Sequence, residues 1–223
     1  MIPLRDVIPT RTTPFVTVTL IVLNAVAFAC QLWLGDAGQA LVRSWGLVPA
    51  AFSWGTVLTS MFLHGGLLHF GGNMLYLWIF GDNVEDRMGH GRFLAFYLLC
   101  GTVAALAQTA MVPDSAVPMV GASGAIAGVM GAYFVLYPRS RIVTLVPIVF
   151  FFQILEVPAI FFLAIWFLIQ FVSGVGSIAA TAAEPAGGVA FWAHVAGFVA
   201  GLGGVLLFRR PERQRVEWWD GVR

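Results

Sequence analysis

Lysine is absent from this 223-residue chain, and charge of either sign is scarce. Arginine supplies every basic group, and basic and acidic residues together make 10% of the chain. A soluble domain carries about 25%, so the polar coat of a water-soluble globule is missing. The net charge of +1 gives no long-range field to recruit nucleic acid or an acidic substrate. Only two cysteines occur, Cys30 and Cys100, both in apolar runs; they read as thiols buried in lipid, and no disulfide framework is visible. No cofactor or metal motif is visible, so the chemistry is expected from side chains alone.

What fills the chain instead is apolar. Hydrophobic residues make up 59%, and the mean hydropathy is +0.87. The chain therefore reads as an integral, multi-pass membrane protein. Residues 15–34, FVTVTLIVLNAVAFACQLWL, run to full span length and are read as an uncleaved first span rather than a signal peptide. Further spans are expected over about 62–80, 93–112, 120–137, 159–172 with its flanks, and 189–208. Residues 35–60 form a long first loop, 81–92 a short charged loop with Asp82, Glu85, Asp86 and Arg87, and 173–188 a small-residue loop. The run 142–155 is short, broken by Pro147 and followed by Glu156, so it is expected to be interfacial or re-entrant rather than a seventh span.

The arginines support six spans. With the N-terminus inside, eleven arginines fall on the inner side and only Arg43 outside. A seventh span would leave six on each side. The expected organisation is a cytoplasmic tail over 1–14, a six-helix transmembrane domain over 15–208 and a basic cytoplasmic tail over 209–223. The plasma (inner) membrane is the default location.

Polar residues inside spans are costly in hydrocarbon and mark function. On this topology Ser123, His194, His64, His69 and Asn73 all fall toward the outer leaflet. Each taken singly has a packing explanation; their shared depth does not. His194, Gly197 and Gly201 share one helix face. The spacings Gly197-x-x-x-Gly201 and Gly124-x-x-x-Gly128 permit close helix approach, which would bring Ser123 to His194. An imidazole beside a hydroxyl is the minimum activated nucleophile. His69 and Asn73, four apart on one helix, are two hydrogen-bond donors of the kind an oxyanion needs. Acidic residues lie across the bilayer or in outer loops. A Ser–His dyad without a carboxylate is therefore expected, with packing orienting the imidazole.

At these residues the chain resembles the rhomboid family of intramembrane serine proteases, from about residue 45 to 208. The family patterns are present as His64-x4-His69-x3-Asn73, Gly81-x3-Glu85-x3-Gly89, Gly121-x-Ser123-Gly124 and Ala193-His194-x2-Gly197-x3-Gly201. The resemblance implies an all-α, six-helix rhomboid-like bundle. It implies Ser123 as nucleophile, His194 as general base, and His69, Asn73 and the Ser123 N–H as oxyanion donors. His64, Gly121, Gly124, Gly197 and Gly201 would be structural. Loop 173–188 would act as a lid. Substrates would be single-span membrane proteins cut in or near the membrane. Two features depart from the family pattern: Ala127 stands where some members place an aromatic against the catalytic histidine, and Ser44 separates Arg43 from Trp45. A catalytically silent relative that binds or escorts transmembrane clients is the competing reading, and a small transporter or channel is a third. The sequence does not specify the oligomeric state.

Overall fold

The structure, a computed structural model, describes residues 1–148, 151–180 and 190–211. Eight helices and three strands follow in the order β1 (Ile2–Asp6), α1 (Phe15–Trp33), α2 (Asp36–Trp45), α3 (Trp54–Thr59), α4 (Leu67–Met88), α5 (His90–Met111), α6 (Ser123–Leu136), β2 (Arg141–Ile148), β3 (Phe151–Pro158), α7 (Ala159–Ala180) and α8 (Phe191–Phe208). The expected helical bundle is present. Among the described residues, α1, α5, α8 and the 159–177 part of α7 are long and apolar enough to cross a membrane.

The shortest bundle helix, α6, is also the most enclosed. It packs against α4, α5, α7 and α8, and every residue from Gly124 to Tyr133 is buried. A helix hidden on all sides needs no polar face and need not match the bilayer thickness, which accounts for an apolar helix of only 14 residues. Glycine makes the enclosure possible. A Cβ on Gly197 would overlap the Gly124 carbonyl, and one on Gly201 would overlap that of Gly128. The backbones of α6 and α8 therefore touch, as small-x-x-x-small faces allow.

Three expectations are corrected. Residues 81–92 are not a loop: α4 continues to Met88 and α5 begins at His90. The chain turns at Gly89, whose φ of 79° favours glycine. Glu85 in this stretch is not solvated but 1% exposed. Its carboxylate accepts from the N–H groups of Val16 and Thr17 and from the Thr17 hydroxyl, at 2.7–2.9 Å. It thus caps α1 from another helix, satisfying donors that the first turn of α1 leaves unpaired. Beside it, Asp86 accepts from the N–H groups of Arg11 and Thr12 and from the Thr12 hydroxyl.

Second, residues 142–148 and 151–155 of the run 142–155 are strand. β2 and β3 form an antiparallel hairpin, and β1 from the N-terminal tail adds to β2, giving the order β1-β2-β3. The β-branched residues Ile142, Val143 and Thr144 suit a pleated surface, and all three are buried. Arg141 and Glu156 close the base of the hairpin at 3.0 Å. Third, α7 extends through Ala180, so residues 173–180 of the expected small-residue lid are helical. The remainder of that lid lies outside the described residues.

Candidate active site

Ser123 is the first residue of α6. The loop before it is held to the first-loop region. Leu47 and Met119 exchange backbone hydrogen bonds, and Gly121 N–H donates to Ser60 C=O at 2.9 Å. Gly121 has φ 123°, a conformation that side chains resist. A Cβ there would also lie 2.7 Å from His69 Nε2. At the start of a helix the Ser123 N–H has no carbonyl four residues back to bond, and the helix dipole is positive there.

His194 lies in the first turn of α8, and Gln108 from α5 caps that turn by accepting the Ala193 N–H at 3.1 Å. The His194 side chain is buried at 8% exposure. Its Nε2 lies 2.6 Å from Ser123 Oγ. Backbone contact between α6 and α8 thus ends with the hydroxyl and imidazole in hydrogen-bond range.

The orientation of the imidazole departs from expectation. Packing alone was expected to hold it. Instead His194 Nδ1 lies 2.8 Å from Gln170 Oε1 on α7. One turn earlier on that helix, the Trp166 ring lies 5.8 Å from the imidazole, centroid to centroid. The imidazole is thus approached from α7 by Gln170 and Trp166, while Ala127 on α6 is small. Sequence reading missed both because they stand in the apolar run AIFFLAIWFLIQFV. The one signal was Gln170, the sole strongly polar side chain in it.

Opposite the dyad stand two donors on α4. The Asn73 Nδ2 is buried and has no hydrogen-bond partner among the described residues. Gly65 N–H donates to His69 Nδ1 at 3.4 Å. A neutral His69 that accepts there carries its proton on Nε2, the atom beside Gly121. From a Cβ position at Gly121, Asn73 Nδ2 is 3.4 Å away. The two donors therefore converge two residues before Ser123.

His64 makes no such approach. Its ring packs edge-on against Phe28, Phe70 and His69. Gln31 on α1 clamps its backbone, donating to His64 C=O and accepting from His64 N–H, both at 3.0 Å. Beside Ser123 a narrow cleft opens between α3, α5 and α6, lined by Met61, Gly101, Ala104, Ala105, Gly121 and Ala193.

A family model described as the rhomboid domain matches residues 51–211. The chain belongs to the rhomboid family. This rhomboid is 43% identical over 88 residues to rhomboid protease GluP of Bacillus subtilis, covering 40% of this chain and 17% of that protein. It is 30% identical over 165 residues to the mitochondrial rhomboid protein 1 of Saccharomyces cerevisiae, covering 72% of this chain and 44% of the relative. It is 29% identical over 129 residues to the human presenilin-associated rhomboid-like protein, also mitochondrial, covering 56% of this chain and 34% of the relative. The matches thus span less than half the length of each of these relatives.

Proposed function

We propose that this integral membrane protein is an intramembrane serine endopeptidase that hydrolyses peptide bonds in or near the transmembrane segments of single-span proteins. The observation carrying this reading is Ser123 Oγ at 2.6 Å from His194 Nε2, at a helix N-terminus faced by two further donors. Ser123 Oγ attacks the scissile carbonyl carbon, and its proton passes to His194 Nε2. The oxyanion accepts hydrogen bonds from Asn73 Nδ2, His69 Nε2 and the Ser123 N–H. As the C–N bond breaks, His194 returns the proton to the leaving amine. Water, deprotonated by His194, then attacks the acyl-enzyme and releases the acid and the free serine. The substrate helix must unwind locally to present its carbonyl, and the narrow cleft favours a small residue there. The site opens toward the outer leaflet of the plasma membrane, with both termini in the cytoplasm.

The test is co-expression with a tagged single-span substrate. Cleavage is expected from the parent and from neither Ser123→Ala nor His194→Ala; product formed by Ser123→Ala would rule the mechanism out. A silent, client-binding relative would leave Ser123 unlabelled by a fluorophosphonate probe, whereas the protease takes the label.

A further inference from the structure

A neutral imidazole carries one proton on one of two nitrogens, and only one arrangement can serve Ser123. Nε2 must be bare to take the hydroxyl proton, so Nδ1 must hold the hydrogen. A buried N–H needs an acceptor, because leaving it unpaired favours the other tautomer or another ring rotation. Among the described residues, the ring of His194 has two hydrogen-bond partners, Ser123 Oγ and Gln170 Oε1. Gln170 comes from a helix that supplies neither Ser123 nor His194, and it stands among Phe161, Phe162, Leu163, Ile165, Phe167, Leu168, Ile169, Phe171 and Val172, where a polar side chain is disfavoured.

We propose, resting on the dyad reading above, that Gln170 is a positioning residue for proteolysis. Its Oε1 accepts the Nδ1 proton of His194, fixes the tautomer with a bare Nε2, and holds the ring at the angle that meets Ser123 Oγ. Trp166, one turn away on the same face of α7, limits the ring's tilt from the side. The arrangement does the orienting part of a triad's third member with a neutral amide. Both reacting groups can be intact and still idle if α7 does not present this oxygen.

The experiment uses the full chain in detergent micelles. Gln170→Met keeps length and bulk but removes the acceptor; Gln170→Glu keeps an acceptor. Three quantities are read: the rate of Ser123 labelling by a fluorophosphonate, kcat and KM on a tagged single-span substrate, and the 15N shifts of the His194 ring, assigned with His194→Ala. In the parent, Nδ1 is expected to carry the proton and Nε2 to be bare. Gln170→Met is expected to lower kcat and the labelling rate about tenfold or more, by analogy with other lost ring orienters. KM should stay within about twofold, since no substrate contact is removed. Gln170→Glu should label and turn over far faster than Gln170→Met.

A Gln170→Met protein as reactive as the parent overturns the proposal, as does a Gln170→Glu protein as impaired as Gln170→Met, which would mean packing alone. A parent whose His194 proton resides on Nε2 overturns it even if the variants do not fold. A parent that neither labels nor cleaves overturns the dyad itself, an outcome distinct from a reactive parent indifferent to Gln170.

Discussion

Asn73 offers a test in which activity and stability move in opposite directions. Its Nδ2 is buried and has no hydrogen-bond partner among the described residues. Such a donor costs the fold about 1–3 kcal/mol. Its reward comes only when an oxyanion forms beside Gly121, and removing one such donor typically raises the barrier by about 2.7–4 kcal/mol. At 1.36 kcal/mol per tenfold that is a loss of about 100- to 1,000-fold in kcat. Asn73→Leu is similar in shape and brings no polar atom. It is expected to depress kcat by that factor while leaving the unfolding temperature equal to or above the parent's. KM should change little, because a ground-state carbonyl is a weaker acceptor than the oxyanion. The assay is single-substrate kinetics on the purified protein, paired with thermal unfolding in the same detergent. If kcat falls only in step with a lowered unfolding temperature, Asn73 is a packing residue and the oxyanion assignment fails. An unchanged kcat refutes it outright.

Further outcomes follow from the packing and from the charges at the inner end. Gly201→Val should force α6 and α8 apart, since even a Cβ overlaps the Gly128 carbonyl; overpacking costs about 1–3 kcal/mol or more, so earlier unfolding and lost Ser123 labelling should appear together. Glu85→Ala strips two N–H acceptors from the start of α1 and should destabilise by about 2–4 kcal/mol, read in unfolding, with the Ser123 labelling rate of the folded fraction unchanged. Asp6 lies in β1, where burial pushes its carboxyl up from 3.8 to about 6 against the help of the Tyr133 hydroxyl, with Asp82 adding to the rise. The fold favours the protonated form, so this contribution is full below about pH 4 and lost as pH rises through 6. With solvent screening it amounts to about 1 kcal/mol. Asp6→Asn, which still offers Tyr133 an acceptor, should flatten the unfolding temperature between pH 4 and 7; a slope equal to the parent's would assign the pH dependence elsewhere.

The Ser123–His194 contact was legible because its determinants are local and repeat at helical spacing. A histidine, two glycines at i+3 and i+7, and a serine beside a second small-residue pair specify which faces meet. The α4 donors were legible for the same reason. Glu85 was misplaced because acids beside a Gly-His-Gly-Arg turn resemble a solvated connection; nothing in that stretch shows that the partners are amides at the start of α1, almost seventy residues earlier. The hairpin was missed because fourteen apolar residues with a proline fit several shapes, and β1, which extends it, lies at the far end of the chain. Gln170 was missed because its role depends on the rotation of α7 about its own axis, which no spacing within α7 encodes.

That missed residue also bears on why, among the described residues, no acid reaches the His194 ring. A carboxylate at position 170 would accept the Nδ1 proton more strongly, but α7 is the least buried of the long apolar helices. An aspartate at the centre of a spanning helix costs about 2.5–3.5 kcal/mol on insertion scales, and a nearby anion must also be kept from pairing with the wrong donors, among them the two on α4. An amide oxygen orients the ring at a smaller cost and leaves those donors free for the oxyanion. The forgone benefit is stabilisation of the imidazolium that forms as Ser123 is deprotonated. The expectation is therefore specific: in Gln170→Glu protein the donors Asn73 and His69 contribute as much as they do in the parent if the new carboxylate stays on Nδ1. A double-mutant cycle of Gln170→Glu with Asn73→Leu should be additive within about 0.5 kcal/mol in that case. Strong coupling would mean that the carboxylate has swung toward the α4 donors.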